Sequence, residues 1–316
     1  MERLIVIVGP TAVGKTQVSI DLAKKLNTEI ISGDSMLVYR SLNIGTAKPT
    51  PTEQQGIPHH LIDILEATEP FSVVDFQQQA GQLIHSINSQ DRIPILAGGT
   101  GLYVKSLLEG YCFNSAAGNE AIRQKLENIV KEHDHDYLHN MLAQVSPEKA
   151  AKLHPHDVRR VIRALEVYEI EGKTVSETTS VRQGDLLYDA VVIGLTMQRP
   201  LLYERINKRV DTMIAQGLIE EVQRLLDQGV SPGSQAMQGI GYKEVIQYLK
   251  GECDLPTTIE NIKKATRHFA KRQLTWYRRM PYIKWVEADS YPEYDKMLAY
   301  IYSILQEKIN FSRIKQ

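Results

Sequence analysis

The sequence predicts an α/β fold: a parallel sheet core carrying a helical insertion and a helical C-terminal region. Three observations support this. Short β-branched apolar runs at residues 4–8, 28–31, 93–97 and 188–194 read as buried strands of the kind parallel sheets use. The first and third of them run straight into glycine-rich turns that open helices, at 9–16 and 98–101. Between the third and fourth, residues 119–170 are almost wholly helical in pattern and rich in charge and histidine, with Pro147 and Pro155 as punctuation, which reads as an insertion into the sheet.

The first turn is the most informative. Gly-Pro-Thr-Ala-Val-Gly-Lys-Thr at 9–16 fits Gly-x4-Gly-Lys-Thr, follows the strand at 4–8, and opens a helix at 17–26 whose apolar Val18, Leu22, Ala23 and Leu26 recur at helical spacing. Strand, glycine loop and helix in that order define a P-loop, and the core is expected to be P-loop NTPase-like. Gly9, Pro10, Thr11, Ala12, Val13, Gly14, Lys15 and Thr16 would then cradle an anion. Backbone N–H groups and the helix N-terminus face it, Lys15 reaches outer phosphate oxygens, and the Thr16 hydroxyl can hold Mg2+. The motif suits ATP, another nucleotide or a plain diphosphate equally.

The strand at 28–31 leads into Ser-Gly-Asp-Ser, and ligands gather at the C-terminal ends of parallel strands, so Asp34 and Ser35 are expected beside the phosphate loop. Asp34 is open to three readings there: metal ligand, general base, or helix cap. Residues 43–70 are loop-rich, and His59-His60 within them reads as hydrogen-bonded structure, because no third metal ligand is evident. A helix is expected over 71–90. Gly-Gly-Thr-Gly at 98–101 places Thr100 in the same cleft as Lys15 and Asp34, ahead of a helix at 102–108. A helix starting after Pro155 sets Arg159 and Arg163 on one face, and 172–184 is a polar connector. After the strand at 188–194 the chain is expected to be helical, at 201–213, 218–226, 242–249, 257–280 and 291–308, with a turn-rich loop at 229–241. The expected divisions are 1–114 and 186–316 for the two parts of the core and 115–185 for the insertion.

A content of 42% hydrophobic and 24% charged residues is ordinary for a soluble globular protein. The N-terminal apolar run is too short for a signal peptide and no window approaches a membrane span, which predicts a cytoplasmic protein. Cys112 and Cys253 lie far apart with no metal-binding spacing. The net charge of −1 argues against a nucleic-acid partner, but its distribution argues for one. Lys263, Lys264, Arg267, Lys271, Arg272, Arg278 and Arg279 are interleaved with His268, Phe269, Trp276 and Tyr277 without an acidic residue, and Arg159, Arg160 and Arg163 form a second cluster.

These pieces line up along nearly the whole chain with one family. The P-loop at 9–16, Ile-Ile-Ser-Gly-Asp-Ser-Met-x-Val-Tyr-Arg at 30–40, Asn-Ile-Gly-Thr-Ala-Lys-Pro at 43–49 and Pro-His-His-Leu-Ile-Asp at 58–63 resemble the tRNA dimethylallyltransferases. So do Gly-Gly-Thr-Gly-Leu-Tyr at 98–103, Asp-Val-Arg-Arg-Val-Ile-Arg-Ala-Leu-Glu at 157–166, Gly-Ile-Gly-Tyr-Lys-Glu at 239–244 and Arg-x-x-x-Lys-Arg-Gln-x-Thr-Trp at 267–276. Leu37 stands where many members have Gln and Gly239 where Ala is common. With no C-terminal zinc finger, the resemblance is to the bacterial type.

The resemblance implies transfer of a dimethylallyl group from its diphosphate to the N-6 amine of the adenosine 3′-adjacent to the anticodon, in tRNAs reading codons that begin with U, with Mg2+ assisting and the enzyme a monomer. It implies that Asp34 acts as base, that Thr100 sits at the reacting centre, and that Lys15 with the rest of the loop holds the diphosphate. It assigns tRNA contacts to Asp34, Ser35, Met36, Leu37, Thr100, Arg123, Arg159, Arg160, Val161, Ile162, Arg163, Lys243, Arg272 and Gln273, and a helical insertion that grips the anticodon stem. A nucleotide kinase shares the P-loop core but needs no basic clusters outside it. Prenylation of free adenylate would not need the long insertion.

Overall fold

The computed structural model describes residues 1–112, 119–172, 178–179 and 185–308. The chain forms two compact units, one of Met1–Gly110 with Gln183–Gln316, the other of Tyr111–Arg182.

The larger unit is built on six parallel strands. In chain order they are β1 (Arg3–Val8), β2 (Ile30–Ser32), β3 (His59–His60) and β4 (Ile95–Gly98), then, after β5 (Tyr111–Cys112) and β6 (Thr178–Thr179) of the smaller unit, β7 (Asp189–Thr196) and β8 (Ile283–Glu287). Their spatial order is β3-β2-β4-β1-β7-β8. β1 lies between β4 and β7, with Val8 opposite Gly98 on one side and Gly194 on the other. Alternation along β1 divides its side chains between two cores: Leu4, Val6 and Val8 join one hydrophobic cluster, Ile5 and Ile7 the other. Each face is therefore covered. Helices Val73–Asn88, Gly101–Leu108, Leu218–Asp227 and Tyr242–Leu249 pack into the first cluster, while Lys15–Leu26 and Tyr294–Lys308 pack into the second. Helices Arg199–Ala215 and Leu255–Tyr277 contribute to both clusters and pack on each other. This is the P-loop type of α/β fold.

Local chemistry sets several boundaries. Ser72 and Asp75 form a reciprocal capping box at the start of Val73–Asn88. Asp254 caps Leu255–Tyr277, with Pro256 in its first turn, so this helix begins before residue 257, and it ends ahead of Pro281 rather than at 280.

Two expectations are corrected. The C-terminal part is not wholly helical, because Ile283–Glu287 pairs with β7 as an edge strand. The loop-rich stretch at 43–70 also contributes an edge strand, His59–His60. There the His59 Nδ1–H donates to the Ile57 carbonyl at 2.8 Å, and His60 Nε2 lies 2.6 Å from Glu29. Both strands are short and take their register from the neighbouring strand, which a local pattern does not carry.

The smaller unit pairs β5 with β6 antiparallel and packs helices Glu120–Glu132, His135–Val145 and Val158–Glu171 around Leu126, Leu138, Leu142, Val161 and Leu165. Apart from Gly172 and β6, the connector at 172–184 lies outside the described residues. No described helix is long and apolar enough to cross a membrane.

Candidate active site

The C-terminal ends of β1, β2 and β4 come together and deliver three loops to one place. Gly98 and Gly33 touch there so closely that a Cβ on Gly98 would lie 2.3 Å from the Gly33 carbonyl oxygen. Gly9 has a φ of 148° and passes the Leu195 carbonyl with no room for a side chain. These approaches bring the P-loop, the turn after β2 and the turn after β4 to the rim of one cleft.

That cleft is lined by Thr11, Lys15, Thr16, Ser32, Asp34, Leu37, Gly99, Arg209, Phe269 and Gln273, among others. Lys15 donates to the carbonyls of Gly9 and Pro10 at 2.9 and 2.8 Å. Burial pushes its ammonium down to about 8, with Asp34 opposing that shift and Arg209 adding to it. Two cations beside one carboxylate leave this end of the cleft with excess positive charge, as an anion site requires.

An adjoining cleft shares Thr11, Asp34, Thr46, Arg209 and Phe269 with the first and adds Ser35, Met36, Thr100, Met213, Ile240, Tyr242, Lys243 and Arg272. Asp34 therefore stands at the junction of a phosphate-like subsite and a larger, partly apolar one. No helix follows Asp34. Its Oδ1 instead accepts from the Met36 N–H at 2.9 Å, closing a turn, which replaces the helix-cap reading. The second carboxylate oxygen faces Gly99, 3.7 Å from where a Cβ would stand. Thr100 is tied to the same turn: its Oγ1 accepts from the Ser35 N–H at 3.0 Å and lies 3.3 Å from the Ser35 hydroxyl.

Gln273 has a positioning role that its sequence context did not reveal. It is buried, accepts from the Thr11 N–H at 2.9 Å and donates to the Gly99 carbonyl at 2.8 Å, so it clamps the P-loop to the turn after β4. Leu37 lines the phosphate-side cleft and is absent from the lining of the adjoining one.

Arg209 was missed by sequence reading. It projects from Arg199–Ala215, lines both clefts, and has its guanidinium Nη1 3.5 Å from the Thr11 hydroxyl. Burial lowers its pKa, and Asp34 and Glu53 oppose the shift. A signal was present: a cation adjoining the stripe Leu202, Ile206, Val210, where a purely amphipathic helix would place apolar side chains.

In the smaller unit, Arg159, Arg160 and Arg163 are exposed along Val158–Glu171, while Val161 and Ile162 face its core. The side chains of Val161 and Ile162 are taken up by packing within this unit, whereas the three arginines are turned toward solvent. Arg123 and Arg163 converge on Glu166, whose side chain is 0% exposed, at 2.8 and 2.7 Å. Arg160 pairs with Asp157 at 3.5 Å. Arg159 makes no ion pair with the described residues.

Comparisons with known proteins agree with one another. A family model described as IPP transferase matches residues 37–280. The tRNA dimethylallyltransferase of Geobacillus thermodenitrificans (strain NG80-2) is 52% identical over 286 residues, 90% of each chain. The crystal structure of a full-length tRNA isopentenylpyrophosphate transferase from Bacillus halodurans superposes with a TM-score of 0.74 at 44% identity, covering 98% of this chain and 97% of that one. A eukaryotic dimethylallyltransferase acting on tRNA gives a TM-score of 0.80 at 32% identity, covering 100% of this chain and 81% of that one. Because the family model covers well over half of the chain, and the relatives match almost end to end, this chain belongs to the IPP transferase family.

Proposed function

We propose that this protein transfers a dimethylallyl group from dimethylallyl diphosphate to the N-6 amine of the adenosine 3′-adjacent to the anticodon of tRNAs reading codons that begin with U. The observation that supports it best is Asp34, which borders the anion cleft of Lys15 and Arg209 on one side and the larger cleft of Thr100 and Met36 on the other. A donor diphosphate on the P-loop and an adenine in the larger cleft would meet at this carboxylate.

In the reaction the allylic C–O bond breaks, its electron pair leaves with the diphosphate, the N-6 lone pair forms the new C–N bond, and a proton leaves nitrogen. Lys15, Arg209 and the P-loop amides stabilise the charge collecting on the departing oxygens. Asp34 orients the amine and takes its proton. Thr100, held against Ser35, faces the reacting centre. Among the described residues no group of three or more His, Cys, Asp or Glu could hold a metal. The exposed Thr16 hydroxyl at the mouth of the loop is the available donor, and that thin donor set suits an ion carried largely by diphosphate oxygens. Bound Mg2+ would neutralise part of the diphosphate charge.

Flipping the adenine out of its stack costs a few kcal/mol. Lys243 and Arg272 at the larger cleft, and Arg159 on the helical unit, would offset it through phosphate contacts. One larger unit contains both clefts, so a monomer suffices.

The test is incubation with unmodified tRNA and labelled dimethylallyl diphosphate, with and without ATP. Labelled tRNA should form without any nucleotide, and a requirement for ATP hydrolysis would defeat the proposal. The Asp34→Asn variant keeps an Oδ1 for the Met36 N–H, so it should melt within a few degrees of the parent and still bind tRNA. Its single-turnover rate should nevertheless fall at least about a hundredfold.

A further inference from the structure

Glu221 lies outside both clefts and is 1% exposed, on helix Leu218–Asp227. A buried carboxylate is costly unless its oxygens are satisfied, and no lysine or arginine among the described residues lies within ion-pair distance of it. Its partners are instead the backbone N–H groups of three consecutive residues. Asn43 donates at 3.0 Å, Ile44 at 2.9 Å and Gly45 at 3.1 Å, and the Tyr242 hydroxyl adds a fourth donor at 2.6 Å. Tyr242 is fully buried, and its ring fills the space beside Gly45, where a Cβ would lie 2.5 Å from it.

The segment held this way forms the wall of both clefts. Gly45 and Thr46 line the larger one, and Thr46, Ala47 and Pro49 line the phosphate side. Displacing the loop would strip three of the four donors from a buried carboxylate, so the loop is either seated or most of the buried charge is left unsatisfied.

We propose that Glu221, seconded by Tyr242, is a positioning residue for prenyl transfer: it fixes residues 43–49 so that Thr46 and its neighbours hold the accepting base in reach of Asp34. This rests on the functional reading above. It predicts an effect on the chemical step that loss of stability alone would not produce, because displacement of about an ångström costs on the order of a hundredfold in rate.

The experiment compares the full-length protein with Glu221→Gln and Tyr242→Phe in the labelled-donor assay, at a temperature where circular dichroism shows each fully folded. An amide at 221 must turn an N–H toward one of the donors it faces. The Glu221→Gln variant should therefore lose at least about tenfold in kcat and raise the KM for tRNA, with donor affinity within about threefold of the parent. Tyr242→Phe should show a smaller loss of the same kind. Amide exchange at Asn43, Ile44 and Gly45 should be slow in the parent and at least about tenfold faster in Glu221→Gln. A folded Glu221→Gln with parental kcat and KM would overturn the proposal. Should that variant not fold, parental exchange at 43–45 as fast as in exposed loops, or parental kcat in Tyr242→Phe, would overturn it equally. A parent that transfers no dimethylallyl group would instead sink the functional reading, and its own control would show it.

Discussion

Lys15 links burial to pH at the scale of a single side chain. Its ammonium titrates at about 8 because the P-loop desolvates it, while Asp34 partly restores the charged form. A bound diphosphate favours that charged form, so above this value donor binding must draw a proton onto Lys15. The sign follows from linkage: affinity is full below about 8 and falls with rising pH, by at most about tenfold per unit. Calorimetric titration with dimethylallyl diphosphate from neutral to alkaline pH should show that fall, and Lys15→Arg, which keeps its charge throughout, should flatten it. A parental affinity unchanged across the range would mean that another cation holds the donor. Arg209 is the candidate, and its position beside the Thr11 hydroxyl shows how a helix distant in sequence completes a loop motif.

Among the elements, helix Val158–Glu171 is organised by one carboxylate. Burial alone would raise the pKa of Glu166, but hydrogen bonds from Arg163 and the Asn119 N–H, with the charge of Arg123, outweigh it and hold the group below the ordinary value. A carboxylate with a depressed folded-state pKa contributes stability that is present above its unfolded value and lost as pH falls through the folded one. Glu166→Gln should cost about 2 kcal/mol at neutral pH, since charged hydrogen bonds are replaced by weaker ones. Thermal unfolding followed at neutral and at acidic pH should show the difference between parent and variant shrinking in acid. An unchanged midpoint at neutral pH would make the Arg123 and Arg163 pairs energetically silent. The same geometry makes Arg163 a poor probe of RNA contact, because replacing it disturbs the helix it belongs to.

For the molecule as a whole, charge is distributed rather than accumulated. A chain with net charge −1 still exposes Arg159 and Arg160 on the helical unit and Lys243 and Arg272 at the larger cleft. Two of the basic residues between 263 and 279 are, by contrast, used internally: Lys263 pairs with Asp211 at 2.6 Å, and Arg267 with Glu260 at 2.7 Å and Asn207 at 2.8 Å. The salt dependence of tRNA binding should therefore reflect the exposed cations, Arg159 above all. Arg159→Ala should lower its log–log slope by about 1 without moving the melting midpoint, whereas Lys263→Ala should leave the slope alone and destabilise the packing of two helices. Filter binding across a salt series separates the two, and an Arg159→Ala slope equal to that of the parent would return Arg159 to the solvated surface. The sequence by itself determined the P-loop, the buried apolar strands of the parallel sheet, most of the helices and the presence of Asp34 and Thr100 at strand ends, because each of these is written in local periodicity and turn chemistry. Only the tertiary structure decided that Gln273 clamps two loops, that Arg209 enters the anion cleft, that Val161 and Ile162 face inward, and that Glu221 seats residues 43–45. Each of those depends on groups brought together across long sequence separations, where burial and hydrogen-bond satisfaction, not residue type, set what a side chain does.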